Sequence, residues 1–280
     1  MHDILVRIPL PFTDKALPIH SYGVMAMIGF LAGILIARWR AKRVGLSPDH
    51  ITDTGIWALF GGIVGSRLVY VVQNAEYYFN TSRVDWSLLD LFKIWEGGLV
   101  FYGGFIGAFI AVLVTVRIRK ERLLAVLDVM APSVALGHAF GRIGCFLRGC
   151  CYGVPVATDS WYGIVYPEGA LPYDDRLGTG LLSGTPLFPV QLLSSLNLFV
   201  IFVILSLFFK RRRGVGQVAA LQVILYSVHR FAVEFLRGDT RLPGALSLAQ
   251  WMSMVAFFLG LGLMVYAWGK GKGRGSMNAE

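Results

Sequence analysis

Two stretches carry the side chains that can do chemistry. GRIGCFLRGCCYG, from Gly141 to Gly153, holds all three cysteines and two arginines, Arg142 and Arg148. YSVHRFAVEFLRGD, from Tyr226, places Tyr226, Arg230, Glu234 and Arg237 at steps of 4, 4 and 3, which is one face of a helix. Arginine suits phosphate because its planar fork makes bidentate hydrogen bonds. Two readings of the second stretch stay open. In one, Arg230 and Glu234 form a structural ion pair that locks helices together. In the other, Arg230 and Arg237 bind an anionic head group in a polar cavity open to the outer leaflet, and Glu234 holds one guanidinium in place.

The elements that must position these residues are membrane helices. The chain has 280 residues, 55% hydrophobic and 15% charged, which is too apolar for an ordinary soluble domain. A span needs ~20 mostly apolar residues. About seven such stretches occur, roughly Tyr22 to Arg38, Ile51 to Val72, Gly98 to Val116, Leu123 to Phe140, Val190 to Phe209, Val215 to Phe235 and Leu248 to Trp268. Helices are the natural form, since backbone polar groups must be satisfied inside lipid and barrel strands would alternate. The first span follows about twenty mixed residues without a small-residue cleavage site, so it reads as a retained span. The expectation is an all-α, polytopic, single integral membrane domain over residues 1–280.

The net charge of +9 does not point to nucleic acid, because of where it falls. Arg38, Arg40, Lys42 and Arg43 follow the first span, and Arg117, Arg119, Lys120 and Arg122 the third. Lys210, Arg211, Arg212 and Arg213 follow the fifth, and Lys270, Lys272 and Arg274 the seventh. The alternate loops are mixed or acidic, with Glu76, Asp85, Asp90 and Glu96, then Asp159, Glu168, Asp174 and Asp175. The positive-inside rule then puts the N-terminus outside and the C-terminus in the cytoplasm. The basic clusters are topology signals first and anionic-lipid contacts second. Topology leaves Arg67, Asp128, Arg142, Arg148, Arg230, Glu234 and Arg237 unexplained. Charges inside or at the ends of spans are costly, and function is their default reading.

GGIVGS and GGLVFYGGFIG place small residues at helical spacing, which suits close helix packing. The two Gly-Gly pairs of the second stretch also stand at the start of the third span, where free N–H groups can face an anion. Both readings stand. The cysteines read as small apolar fillers or, on an oxidising face, as a disulfide of Cys145 with Cys150 or Cys151. Adjacent Cys150 and Cys151 do not suit a disulfide with each other. Three thiols lack the fourth ligand of a structural zinc site, so packing or a disulfide ranks ahead of metal, although His138 is near in sequence.

APSVALGHAFGRIGCF resembles the signature of the bacterial prolipoprotein diacylglyceryl transferases, Gly-Arg-x-Gly-Asn-Phe. In the family's order, IHSYGVMAMIGF resembles its first span, and GSRLVYV its Gly-x-Arg-x-x-Tyr-Val segment. FYGGFIG stands in place of its His-Gly-Gly-x-x-Gly motif, and YSVHRFAVEFLRGD resembles its Tyr-x-x-x-Arg-x-x-x-Glu-Phe-x-Arg segment. The resemblance implies transfer of diacylglycerol from phosphatidylglycerol to the lipobox cysteine of a prolipoprotein bearing its signal peptide, with release of glycerol 1-phosphate. It implies a bacterial cytoplasmic membrane enzyme with no cofactor, no metal and no nucleic acid. Arg142 and Arg230 carry over as the principal phospholipid-binding and catalytic arginines. Tyr22, Tyr226, Glu234 and Arg237 carry over as supporting polar residues, with Arg67, Gly103 and Gly104 as further substrate-binding candidates. The family's histidine is Tyr102 here, read as a catalytic candidate that orients substrate by hydrogen bonding. The Asn after Gly-Arg-x-Gly is Cys145, the later Asn and Glu positions are Arg148 and Cys150, and Gln-Leu-Tyr-Glu is QLLS, ending in Ser194. A related transferase with another thiol acceptor and a phospholipid-binding or transport protein are the rival expectations.

Overall fold

The structure, a computed structural model, describes residues 4–9, 16–79, 91–92, 97–168, 170–173, 181–238 and 246–276. Asp85, Asp90, Glu96, Asp174 and Asp175 lie outside the described residues. A short antiparallel hairpin, β1 (Ile4–Pro9) and β2 (Ala16–His20), pairs Ile4 with His20 and Pro9 with Ala16. It occupies the mixed lead-in, where the sequence suggests no element. The helices are α1 (Ser21–Arg43), α2 (Pro48–Gln73), the short α3 (Ala75–Phe79), α4 (Phe101–Ile118), α5 (Leu123–Arg148), α6 (Val190–Arg211), α7 (Gln217–Glu234) and α8 (Leu248–Ser276).

Local chemistry sets several boundaries. Ser47 caps α2 by accepting from the His50 N–H at 3.4 Å, with Pro48 opening the helix. Ser247 and Gln250 form a reciprocal capping box at α8: Gln250 N–H donates to Ser247 Oγ at 3.2 Å, and Ser247 N–H donates to Gln250 Oε1 at 2.9 Å. Arg40, Lys42 and Arg43 lie in the last turn of α1, where cations complement the helix dipole. α5 continues past Phe140 to Arg148, so Arg142 and Cys145 are helical. Among the described residues, six helical segments are long and apolar enough to cross a membrane: α1, α2, α4, α5, α6 and Leu248–Gly269 of α8. The remaining long helix, α7, carries Gln217, Gln222, Ser227, His229, Arg230 and Glu234, a polar load that lowers its hydropathy. The chain is a multi-pass, all-α membrane protein.

The chain divides into two compact units, Arg38–Val126 and Met1–Ala37 with Leu127–Glu280. In the first, α2 and α4 meet along a glycine seam. A Cβ on Gly61 would stand 2.6 Å from the Gly107 carbonyl oxygen, and Gly65, Gly103 and Gly107 are similarly closed. Ser66 Oγ donates to the Val100 carbonyl at 2.8 Å and ties the start of α4 to α2. Near the other end of this unit the acidic groups are paired: Asp49 with Arg38 at 3.1 Å, Glu121 with His50 at 2.8 Å, and Asp53 with Arg119.

In the second unit, Gly29 of α1 approaches α5 so closely that a Cβ would meet Phe140 Cβ at 2.9 Å. Asp128, 0% exposed, caps α7 from α5. Its carboxylate accepts from the N–H groups of Gly216 at 2.8 Å and Ala219 at 2.9 Å, and from Arg212 at 3.0 Å. This unexplained intramembrane charge is therefore a helix cap. Outside the spans, Tyr152, Tyr166, Tyr173 and Leu187 form a buried cluster.

Candidate active site

The site is built where α5 and α7 end. α5 supplies His138, Arg142 and Cys145; α7 supplies Tyr226, His229, Arg230 and Glu234. Gly144 lets α5 approach α1, since a Cβ there would sit 3.1 Å from the Tyr22 ring. Tyr22 itself is 41% exposed. Past Arg148 the chain turns through Gly149, at φ 79°, and Cys151, at φ 57°, both in the left-handed region. Cys150 N–H then donates back to the Cys145 carbonyl at 3.1 Å. Residues 152–156 are fixed from two sides. Val154 N–H donates to Leu236 at 3.0 Å and Gly238 N–H to Tyr152 at 3.0 Å, while Gly153 N–H donates to Phe188 at 3.1 Å. At this crossing a Cβ on Gly153 would stand 2.9 Å from the Leu236 carbonyl oxygen, so glycine is required. Gln191, the Gln of QLLS, donates to the Cys150 carbonyl and to the Tyr166 hydroxyl, both at 2.9 Å.

Glu234 sits between two guanidiniums, 2.5 Å from Arg230 and 3.9 Å from Arg237. The ion pair of the first reading is present. It does not exhaust the positive charge, because Arg142 makes no hydrogen bond or ion pair among the described residues. Arg142 interacts electrostatically with Cys145, Cys151, Tyr226 and Arg237, and Tyr22 interacts with Arg142 and all three cysteines. Tyr22, Arg142, Tyr226, Arg230, Glu234 and Arg237 are thus brought into one neighbourhood.

Two histidines belong to it that the residue patterns did not single out as functional. The His138 ring lies 5.4 Å from that of Tyr226, and the Tyr226 ring 6.1 Å from that of His229. His229 interacts with Arg142, Arg230 and His138. Both Nδ1 atoms are buried without a hydrogen-bond partner among the described residues. The available sequence signal was position: His138 one helical turn before Arg142, and His229 directly before Arg230.

The sulfurs of Cys145, Cys150 and Cys151 lie within 4.8 Å of one another, as free thiols. They are the group among the described residues that has metal-ligand spacing. Hydrogen bonds from Cys145 and Cys150 push the Cys151 thiol below the usual thiol range, assisted by Arg142 and Arg237. Cys150 is pushed up by the neighbouring Cys145 and Cys151 thiols and by burial, and its thiol donates to the Cys145 carbonyl at 3.7 Å. Burial raises the Tyr166 hydroxyl to about 12, partly opposed by Gln191.

Arg67, Tyr102, Gly103 and Gly104 belong to the other unit. Arg67 is 8% exposed and donates from Nε to Leu91 at 2.8 Å, from Nη1 to Gly97 at 2.9 Å and from Nη2 to the Tyr78 hydroxyl at 3.1 Å. Its fork therefore holds backbone. Tyr102 is 40% exposed, in the first turn of α4. Gly103 and Gly104 both face α2 at close range, Gly104 with a Cβ position 3.4 Å from the Gly62 oxygen.

The fold and this site define a class, a polytopic membrane protein with a cationic cluster where α5 and α7 end, in which Arg142 has no protein acceptor among the described residues. A family model for prolipoprotein diacylglyceryl transferase matches residues 9–266. The chain is 35% identical over 254 residues to the phosphatidylglycerol–prolipoprotein diacylglyceryl transferase of Clostridium tetani, covering 90% of this chain and 95% of that one. It is 33% identical over 259 residues to the second such enzyme of Clostridium perfringens, covering 92% and 94%. With that of Burkholderia cenocepacia it shares 32% identity over 278 residues, covering 90% and 92%. The chain belongs to the prolipoprotein diacylglyceryl transferase family.

Proposed function

We propose that this protein transfers the diacylglyceryl group of phosphatidylglycerol to the lipobox cysteine of prolipoproteins that still carry their signal peptide, and releases glycerol 1-phosphate. The observation that carries this reading is Arg142, a helical arginine without a protein acceptor among the described residues, beside the Arg230–Glu234–Arg237 cluster. It works in the bacterial cytoplasmic membrane as one domain, with the N-terminus outside and the C-terminus inside; the family match runs through both units.

In this mechanism the acceptor thiolate attacks the diacylglycerol carbon that bears the phosphate. A carbon–sulfur bond forms, the carbon–oxygen bond breaks, and its electron pair leaves with the phosphate of glycerol 1-phosphate. Charge grows on that phosphate, so Arg142 and Arg230 lower the barrier by being fixed in advance. Glu234 holds Arg230 from the side, and Tyr226 and Tyr22 orient the head group. Both substrates are membrane-tethered, and holding them together supplies much of the rate. The acceptor thiol must lose a proton, since an ordinary cysteine has a pKa of about 8.5. Tyr102 enters by its motif position as an orienting hydroxyl, with Arg67, Gly103 and Gly104 as substrate-binding candidates by the same resemblance.

The test is complementation of a transferase-depleted bacterium, with mass spectrometry of a lipoprotein's N-terminal cysteine. Diacylglyceryl thioether on the lipobox cysteine is expected. Its absence, with the protein inserted in the membrane, removes the reading. The departures at Tyr102 and Cys145 favour one alternative, a different thiol acceptor; it predicts lipid transfer to a non-lipobox thiol in the same lysate.

A further inference from the structure

The three cysteines stand outside the transfer chemistry, and the fold nevertheless gathers them. Cys145 is on the last turns of α5, and Cys150 and Cys151 are returned to it by the turn at Gly149 and the left-handed Cys151. Three anchors fix that turn: the Cys150 N–H to the Cys145 carbonyl at 3.1 Å, buried Gln191 to the Cys150 carbonyl at 2.9 Å, and the backbone bonds of residues 152–154 to Leu236 and Phe188. The sulfurs consequently lie within 4.8 Å of one another.

We propose that Cys145, Cys150 and Cys151 form a binding site for one soft, thiophilic metal cation of the Cu(I) class. A metal–thiolate bond of about 2.3 Å puts three sulfurs around one ion about 4 Å apart, so the cluster closes on an ion with small side-chain movements. Soft thiolates select Cu(I) or zinc. Zinc wants a fourth ligand in a closed site, and no other His, Cys, Asp or Glu joins the group among the described residues. Cu(I) is satisfied by three sulfurs in a plane. Charge also fits. Binding releases three thiol protons to solvent and leaves two net negative charges on the copper–thiolate unit, against which Arg142 and Arg237 both act. No oxidant or reductant is consumed. The site is independent of the transferase reading.

The test uses the full-length protein in detergent, reduced and kept anaerobic. Copper(I), supplied as its acetonitrile complex, is competed against the chromophoric chelator bathocuproine disulfonate. One Cu(I) per chain should be retained, and Zn(II) should be retained less tightly. Cys145→Ser, Cys150→Ser and Cys151→Ser should each weaken retention about a hundredfold, the upper range for a perturbed metal site. Size-exclusion profiles exclude unfolded variants. For the wild type alone, bound Cu(I) should protect all three thiols from N-ethylmaleimide, as read by mass spectrometry. Folded protein that loses its copper to the chelator, single serine variants that keep it, or thiols that alkylate equally with and without copper would each overturn the site.

Discussion

Ionised groups gather near the start of both α5 and α7 and again near their ends, and the two places treat them oppositely. At one end Asp128 is fully buried, and every partner it needs comes from the protein: two backbone N–H groups and Arg212. At the other end Glu234 pairs with Arg230 and Arg237, and Arg142 has no hydrogen-bond or ion-pair partner among the described residues. A charge in a span is structural when the protein completes its hydrogen bonds, and available for a ligand when it does not. Arg67 follows the Asp128 pattern, with its fork closed on carbonyls and a phenol.

The sharpest way to break the comparison is to remove the available charges. Arg142→Ala and Arg230→Ala should each lower transfer about a thousandfold, the upper range for losing one preorganised donor, while the protein still inserts. Lysine should rescue poorly, since it offers a point charge in place of a fork. A lipid-transfer assay in which both alanine variants are fully active removes them from the mechanism. Asp128→Ala should do the reverse. It leaves Arg212 unpaired and costs about 3 kcal/mol of stability, while activity per folded molecule is retained. Thermal unfolding and specific activity measured together separate the two.

Tyr166 tests the cap beside the site. Its hydroxyl is raised to about 12 from 10.0, so the unfolded chain ionises first as pH rises. The folded state therefore loses stability between about pH 10 and 12, by about 2–3 kcal/mol from this group, and no change from it occurs below pH 9. Tyr166→Phe should flatten that part of the stability curve; an unchanged slope rejects the assignment. Tyr102→Phe should reduce transfer about tenfold, the scale of one hydrogen bond, and Tyr102→His should be tolerated. A fully active Phe with a dead His would show the motif alignment to be misleading. The smallest effect is expected at the thiols. Cys145→Ser, Cys150→Ser, Cys151→Ser and the triple variant should all keep measurable transfer to a lipoprotein peptide, because the acceptor brings its own nucleophile. Complete loss in a stably folded single variant, with phospholipid binding intact, makes that sulfur a chemical participant.

Six of the seven expected spans were legible because lipid demands long apolar helices, and the Tyr226-to-Arg237 face because 4, 4, 3 spacing is local. What was not legible depends on partners distant in sequence. The cap on α7 joins Asp128 to residues 84, 88 and 91 positions away. The grouping of His138 with Tyr226 and His229 needs α5 and α7 side by side. The end of α5 was misjudged because polarity begins at Gly141 while the backbone stays helical to Arg148. The Gly-Gly pair at the start of α4 left packing and anion contact equally open; the closeness of Gly65 and Gly62 reveals the packing.

The glycine seam between α2 and α4 and the tyrosine cluster outside the spans also differ in how heat acts on them. Tyr152, Tyr166, Tyr173 and Leu187 are shielded from water, so their cohesion carries the heat-capacity signature of hydration and weakens on cooling. The seam excludes lipid, and backbone contact there has no such signature. Chilling therefore loosens the tyrosine cluster around Gln191 and Cys150 while the seam keeps its grip, and amide hydrogen exchange followed against temperature should show the two regions diverging.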